Sequence, residues 1–148
     1  NQGVSAAIQF GVCQLQVKQI IVLGHAHCGG INALMHGRGD KVAADDYLGK
    51  WVRIAEPARV QVKQALSHKS LEEQCKACEM AAILVSLDNL MSFPFITERV
   101  AAKTLTLYGW YFDIDAGSLT GYDPQSGSFR SLVASLDKKA VTGHDLTW

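Results

Sequence analysis

Residues 20–30 read Ile-Ile-Val-Leu-Gly-His-Ala-His-Cys-Gly-Gly, and this stretch decides the fold prediction. A β-branched apolar run stops at Gly24, and a His-x-x-Cys pair, His25 and Cys28, follows at once. The run is typical of a central parallel strand that is buried on both faces. In open α/β sheets, ligands bind outside the carboxyl ends of the strands, which is where this pair lies. Imidazole and thiolate are zinc ligands, so the stretch predicts a metal site at a strand end.

The glycines around the pair favour a ligand site over a satisfied histidine and a buried thiol, the alternative for so short a motif. Gly24, Gly29 and Gly30 allow a tight turn and a close approach of the backbone to a ligand. A helix that begins after Cys28 would also stabilise a thiolate. His27 is a possible third ligand, but three ligands within four residues would be crowded. We therefore interpret His27 as a loop residue.

The other cysteines favour structural roles. Cys75 and Cys78 form a C-x-x-C pair, which can be redox-active or bind zinc. The pair lies inside a predicted helix without turn glycines, so we interpret it as structural, and Cys13 lies on an apolar helix face. We find no secretion signal, which favours reduced thiols over disulfides and predicts a cytoplasmic protein.

Composition limits the classes of partner. The chain has 148 residues, enough for one domain with a core. It is 48% hydrophobic and 19% charged, with 14 basic and 14 acidic residues. A neutral chain without a basic cluster disfavours a nucleic-acid partner, because phosphate binding needs a basic surface. The longest apolar run is far short of the ~20 residues that span a bilayer, so we expect no membrane partner.

The hydrophobic pattern predicts helices and strands in alternation. We predict helices over 5–17, 29–35, 45–66 (bent or broken at Pro57), 71–91 and 96–102. We predict strands over 19–24 and 104–115, with 118–122 as the returning strand of a hairpin and 129–132 as a short strand or tail contact. This order predicts an α/β fold with a mixed, mainly parallel central sheet flanked by helices. We predict that residues 1–148 form a single, incomplete domain, with 132–148 as a tail. A parallel central strand needs parallel neighbours, and the chain offers too few further strands to supply them, so we expect further strands upstream of Asn1.

The helix predicted over 71–91 carries two informative features. Ser70-Leu-Glu-Glu73 matches a capping box at its start. From residue 77 to 87 the helix is apolar on nearly every face, which is typical of a helix buried on all sides. In so small a domain, one of those sides is expected to be a subunit interface.

Several sequence blocks resemble one family, the β-class carbonic anhydrases. They cover most of residues 3–132 in the order and spacing of the family. They are Ser-Ala-Ala-Ile-Gln-Phe-Gly-Val from Ser5, Ile-Val-Leu-Gly-His-x-x-Cys-Gly-Gly-Ile ending at Ile31, Cys78-Glu79, Val-Ser-Leu-Asp-Asn-Leu-Met-Ser-Phe-Pro-Phe from Val85, Leu-Tyr-Gly-Trp-Tyr-Phe-Asp-Ile from Leu107, Gly117-x-Leu119 and Tyr-Asp-Pro-x-x-Gly-x-Phe from Tyr122.

The resemblance implies a zinc enzyme that hydrates carbon dioxide reversibly to bicarbonate, as a homodimer or a dimer-based oligomer. His25 and Cys28 would be two of three protein ligands of Zn²⁺. Phe10 matches a position that is often aromatic and lines the substrate pocket, where we also place Gly29 and Gly30. In the family, the third ligand and an Asp–Arg dyad come from an upstream Cys-x-Asp-x-Arg motif.

That motif does not occur in the 148 residues, so the catalytic residues are unknown. Because two ligands cannot complete a zinc site, we expect the chain to be part of a longer enzyme. The alternative is a catalytically inactive β-carbonic-anhydrase-like domain that serves oligomerisation. A third hypothesis is the same fold acting on another small heterocumulene, such as carbon disulfide.

Overall fold

The computed structural model describes residues 2–132, which form one mixed sheet and a set of helices. The strands are β1 Gln19–His25, β2 Thr106–Asp113, β3 Ser118–Asp123 and β4 Ser128–Ser131, in the order β1-β2-β3-β4. The predicted mixed sheet flanked by helices is confirmed. It is not mainly parallel over the described strands, because only β1 and β2 pair in parallel. The connections on either side of β3 are short, and such connections join antiparallel neighbours.

The helices lie close to the predicted positions. They are α1 Gln2–Gln9, α2 Gly29–Met35, α3 Tyr47–Val52, α4 Glu56–Ala65, α5 Leu71–Met91 and α6 Pro94–Ala101. The first helix starts earlier than predicted and continues as a π-helical turn over Phe10–Gln14. The predicted 45–66 helix is two helices joined by a 3₁₀ turn, Arg53–Ala55. The stretch is therefore broken rather than bent. Pro57 lies just after the break, in the first turn of α4, where its missing N–H costs nothing.

The capping box of α5 is present. The Ser70 hydroxyl accepts a hydrogen bond from the Glu73 N–H at 3.2 Å, and the Glu73 carboxylate accepts one from the Ser70 N–H at 3.0 Å. The hydrogen bond from Lys69, followed by these two bonds with Ser70, lowers the pKa of Glu73 to about 2. Residues 77–87 are all buried or half-buried, as the apolar pattern indicates.

Two glycines bring α5 close to the sheet. A Cβ atom on Gly24 of β1 would lie 2.7 Å from Ile83 Cδ1, and one on Gly109 of β2 would lie 2.8 Å from Ile83 Cγ2. Ile83 is 3% exposed and packs in a core cluster with Ala26 and Tyr111. The glycines therefore make room for a buried branched side chain over the two parallel strands.

The opposite face of β1 is uncovered, so the prediction that this strand is buried on both faces is wrong for the described residues. Ile21 is 43% exposed and Leu23 is 60% exposed. Tyr108 and Phe112 of β2, also exposed, lie beside Ile21 and His25 in the strand register. The prediction assumed helices on both faces of the sheet, whereas Ile83 of α5 packs on the Gly24 face.

No single helix within residues 2–132 is long and apolar enough to cross a membrane. The helices α5 and α6 together have the required length and composition, but they are bent by 94° relative to each other. Residues 133–148 of the predicted tail lie outside the described residues.

We predict that Gly24→Ala lowers the free energy of unfolding by about 1–3 kcal/mol, because the added methyl group overlaps Ile83. Urea unfolding measures this. Gly11→Ala is the matched control, since a Cβ there meets nothing within 4 Å. Ile83→Val, which removes Cδ1, should recover part of the loss in the Gly24→Ala background. Equal effects of the two glycine substitutions would contradict the account.

Candidate metal centre

His25 lies at the carboxyl end of β1, and one nitrogen of its ring forms a hydrogen bond. His25 is the last residue of the strand, and its Nδ1 lies 2.9 Å from the carbonyl oxygen of Ala26. A carbonyl oxygen only accepts, so Nδ1 is the donor, and in the neutral imidazole Nε2 is then the nitrogen with the free lone pair. A metal-binding histidine typically has this arrangement, in which the second nitrogen donates to a backbone carbonyl.

Cys28 lies at the start of α2, where its backbone is fixed at two points. Its carbonyl accepts the first helical hydrogen bond from the Asn32 N–H at 2.9 Å. Its N–H donates to Oε1 of Glu79 on α5, also at 2.9 Å. The two predicted ligands thus flank a two-residue connection between β1 and α2.

Glu79 is a buried carboxylate that joins three elements. It is 6% exposed and accepts hydrogen bonds from the Cys28 N–H and from the Tyr111 hydroxyl of β2, the latter at 2.8 Å. Burial and the bond to Glu79 raise the pKa of Tyr111, so its hydroxyl stays protonated and donates. Glu79 belongs to the Cys78-Glu79 block that resembles the family, but the sequence predicts no role for it. The signal that could have found it is an acid inside the otherwise apolar stretch 77–87.

The His27 ring makes an exposed contact with the Asp115 carboxylate. Its φ of +56° places it in the left-handed region, and its Nε2 lies 2.7 Å from Oδ2 of Asp115 in the β2–β3 turn. The hydrogen bond and the charge of Asp115 raise the pKa of His27. This geometry agrees with the interpretation of His27 as a loop residue.

Two cavities share Cys28. The larger, about 570 Å³, is also lined by Gly29 and Glu79, whereas the smaller, about 170 Å³, is lined by Gly30 and Trp51. The two glycines predicted to line one pocket therefore border different cavities. Phe10 and His25 line neither cavity, and Phe10 is 57% exposed.

The remaining cysteines occupy structural positions. Cys78 is buried in a core cluster, and burial raises its pKa to about 12. Burial also raises the pKa of Cys75. Cys13 packs against the cluster around Val12. All four cysteines are free thiols.

Within residues 2–132 no three His, Cys, Asp or Glu side chains are grouped so that they could hold a metal ion. His25 and Cys28 stay the predicted ligand pair.

The mixed sheet with its flanking helices, together with His25 and Cys28 at the end of β1, can be compared with proteins of known families. The family model described as carbonic anhydrase matches residues 1–119. Beta carbonic anhydrase 3 of Arabidopsis thaliana is 36% identical over 119 residues, which are 80% of this chain. The chain belongs to the β-carbonic anhydrase family.

Solved structures agree with this assignment. The β-carbonic anhydrase CcaA is 30% identical with a TM-score of 0.80, over 88% of this chain and 63% of that one. A tetrameric β-carbonic anhydrase of Sordaria macrospora, 23% identical, has the same fold with a TM-score of 0.69, again over 88% and 63% of the two chains. The chain spans 46% of the Arabidopsis protein, less than half its length.

We predict that Asp115→Asn lowers the pKa of His27 toward its ordinary value of 6.5. With a raised pKa in the folded protein, the pair stabilises the loop at acid pH, and this contribution is lost as the pH rises through that pKa. NMR titration of the imidazole measures the change. Asp45→Asn, which removes the same charge from the 40–46 loop, should leave the titration unchanged. An identical midpoint in Asp115→Asn and wild type would contradict the pairing.

Proposed function

We propose that this chain is part of a zinc-dependent carbonic anhydrase that hydrates carbon dioxide reversibly to bicarbonate. The observation that carries the proposal is the pair at the end of β1. His25 donates from Nδ1 to the Ala26 carbonyl, which in the neutral imidazole leaves Nε2 available to a metal, and Cys28 follows at the start of α2. Membership of the β-carbonic anhydrase family supports the same conclusion.

The chemistry of these donors fits zinc. Neutral imidazole and thiolate are both zinc ligands, and catalytic zinc sites have three protein ligands and one open position. His25 and Cys28 would hold the ion, with a third ligand from residues outside the described range. Bound zinc lowers the pKa of water to about 7 and so supplies a nucleophile for carbon dioxide at neutral pH.

The residues of this chain position the ligands. The Ala26 carbonyl holds the His25 ring in one tautomer, and Glu79 and Asn32 fix the backbone of Cys28 on both sides. The Gly24 contact with Ile83 keeps α5, and therefore Glu79, against the end of β1. Phe10, Gly29 and Gly30 stay proposed pocket residues.

The second candidate function is a catalytically inactive domain that serves oligomerisation. The uncovered apolar face of β1 favours it, since Ile21 and Leu23 are too exposed for an isolated domain. The same face supports a homodimer or dimer-based oligomer in the enzyme hypothesis. A cytoplasmic location is also part of the proposal, and the four free thiols are consistent with it.

Removing either ligand tests the enzymatic proposal. In the complete protein, we expect Cys28→Ser and His25→Ala to reduce carbon dioxide hydration at least ~100-fold and to lower the bound zinc, because an incomplete donor set does not retain the ion. Stopped-flow assays and elemental analysis measure the two effects. Cys75→Ser, in the same cavity as Cys28, and His27→Ala are the matched controls and should keep zinc. Wild-type turnover by Cys28→Ser would overturn the proposal.

Leu23→Glu tests the oligomer. A charge on the uncovered strand face should shift the complete protein to a smaller species, because a buried unpaired charge is costly at an apolar contact. Light scattering after gel filtration measures the mass, and a thermal scan shows whether the variant is folded. Val60→Glu is the control, since Val60 is a 45% exposed residue of α4. A monomeric wild type, or a folded Leu23→Glu protein of unchanged mass, would contradict the assignment.

A further inference from the structure

We propose that Glu79 is a positioning residue for the metal centre, which holds the Cys28 backbone in the orientation that presents its thiolate. This inference rests on the proposed function, since it assigns a task to a residue that supports the zinc ligand. Glu79 lies 51 residues from Cys28 in sequence and contacts it through the backbone N–H, at 2.9 Å.

Because Glu79 is buried, its hydrogen bonds are costly to break. Glu79 is 6% exposed, and none of the ion pairs within residues 2–132 includes it. A buried carboxylate without a cation is costly unless hydrogen bonds satisfy its oxygens. Each of the two oxygens has such a bond, Oε1 from Cys28 and Oε2 from Tyr111. Breaking either bond leaves a buried acceptor unsatisfied, so the carboxylate holds both donors in place.

The position of Glu79 is itself fixed. Glu79 precedes Ile83 by one helical turn, so both side chains lie on the α5 face that packs against the sheet. Ile83 fills the space above Gly24 and Gly109. Tyr111 is 3% exposed and belongs to the same core cluster as Ile83. The position of the carboxylate is thus fixed by α5 and by Tyr111 of β2. The carboxylate in turn orients the loop that contains Cys28.

The backbone of Cys28 sets the direction of its side chain. Cys28 has extended φ and ψ of −66° and 113°, while Gly29 and Gly30 begin a helix. His27, just before it, has a left-handed φ. Extended angles are usual for the residue that precedes a helix. The Glu79 bond to the Cys28 N–H adds a restraint on this backbone from outside the loop. Supporting residues of this kind typically change metal affinity 10–100-fold when they are lost.

Three variants of the complete protein test the assignment. Glu79→Leu removes both acceptors and leaves the Cys28 N–H without a partner. Glu79→Gln keeps the shape, because the amide oxygen accepts from Cys28 and the amide nitrogen donates to the Tyr111 oxygen. Leu90→Ala is the control for a loss of global stability, since Leu90 is 8% exposed in a different core cluster from Ile83.

Two readouts separate positioning from a merely structural role. Zinc affinity is measured by competition with a chromophoric chelator, and hydrogen exchange of the Cys28 amide is measured by NMR without zinc. We expect Glu79→Leu to weaken zinc binding about 10–100-fold and to speed the Cys28 amide exchange. Glu79→Gln should stay within about threefold of wild type for zinc. Leu90→Ala should lower the melting temperature without a change in zinc affinity.

The assignment is overturned if Glu79→Leu keeps wild-type zinc affinity and wild-type protection of the Cys28 amide. It is also overturned if Leu90→Ala loses as much zinc affinity as Glu79→Leu, because the effect would then follow global stability. Failure of the proposed function looks different. In that case the wild-type protein binds no zinc, and the amide exchange still decides whether Glu79 holds the loop.

Discussion

The contact between Ile83 and the two strand glycines fixes the depth at which α5 lies on the sheet. A Cβ atom at Gly24 or Gly109 would lie within 3 Å of Ile83, so the two glycines set how closely the helix approaches the parallel strands at this point. That depth brings Glu79, one turn earlier on the same face, to the backbone of Cys28. The loop that carries the proposed metal ligands therefore depends on a packing contact between apolar groups.

Local features of the fold could be predicted from the sequence because they depend on neighbours along the chain. The Ser70–Glu73 capping box, the strand that ends at His25 and the helix that begins after Cys28 all follow from short patterns. The exposed face of β1 could not be predicted, since an apolar strand has the same sequence whether one face or both are covered. The antiparallel hairpin of β2 and β3 was predicted, since two strand-like runs are separated by a short turn. The mainly parallel sheet was predicted because further parallel strands were expected upstream of Asn1, whereas the described strands contain one parallel pair.

The candidate site divides in the same way. His25 and Cys28 are three positions apart and carry their chemistry in their side chains, so a sequence pattern finds them. Glu79 acts across 51 residues through a backbone N–H, which leaves no spacing to detect. Its one trace in the sequence is an acid in the apolar stretch 77–87. A carboxylate in a core helix is retained only where its oxygens are satisfied, and here the loop of a candidate metal ligand satisfies one of them.

X-ray absorption at the zinc edge of the complete protein tests the central claim most directly, because it identifies the atoms bound to the ion. The account predicts a mixed shell with sulfur at about 2.3 Å and imidazole nitrogen at about 2.0–2.1 Å. Cys28→Ser should reduce the sulfur contribution or abolish binding. A protein that holds no zinc, or a zinc shell of oxygen and nitrogen without sulfur, would contradict the assignment of Cys28 and His25 as ligands.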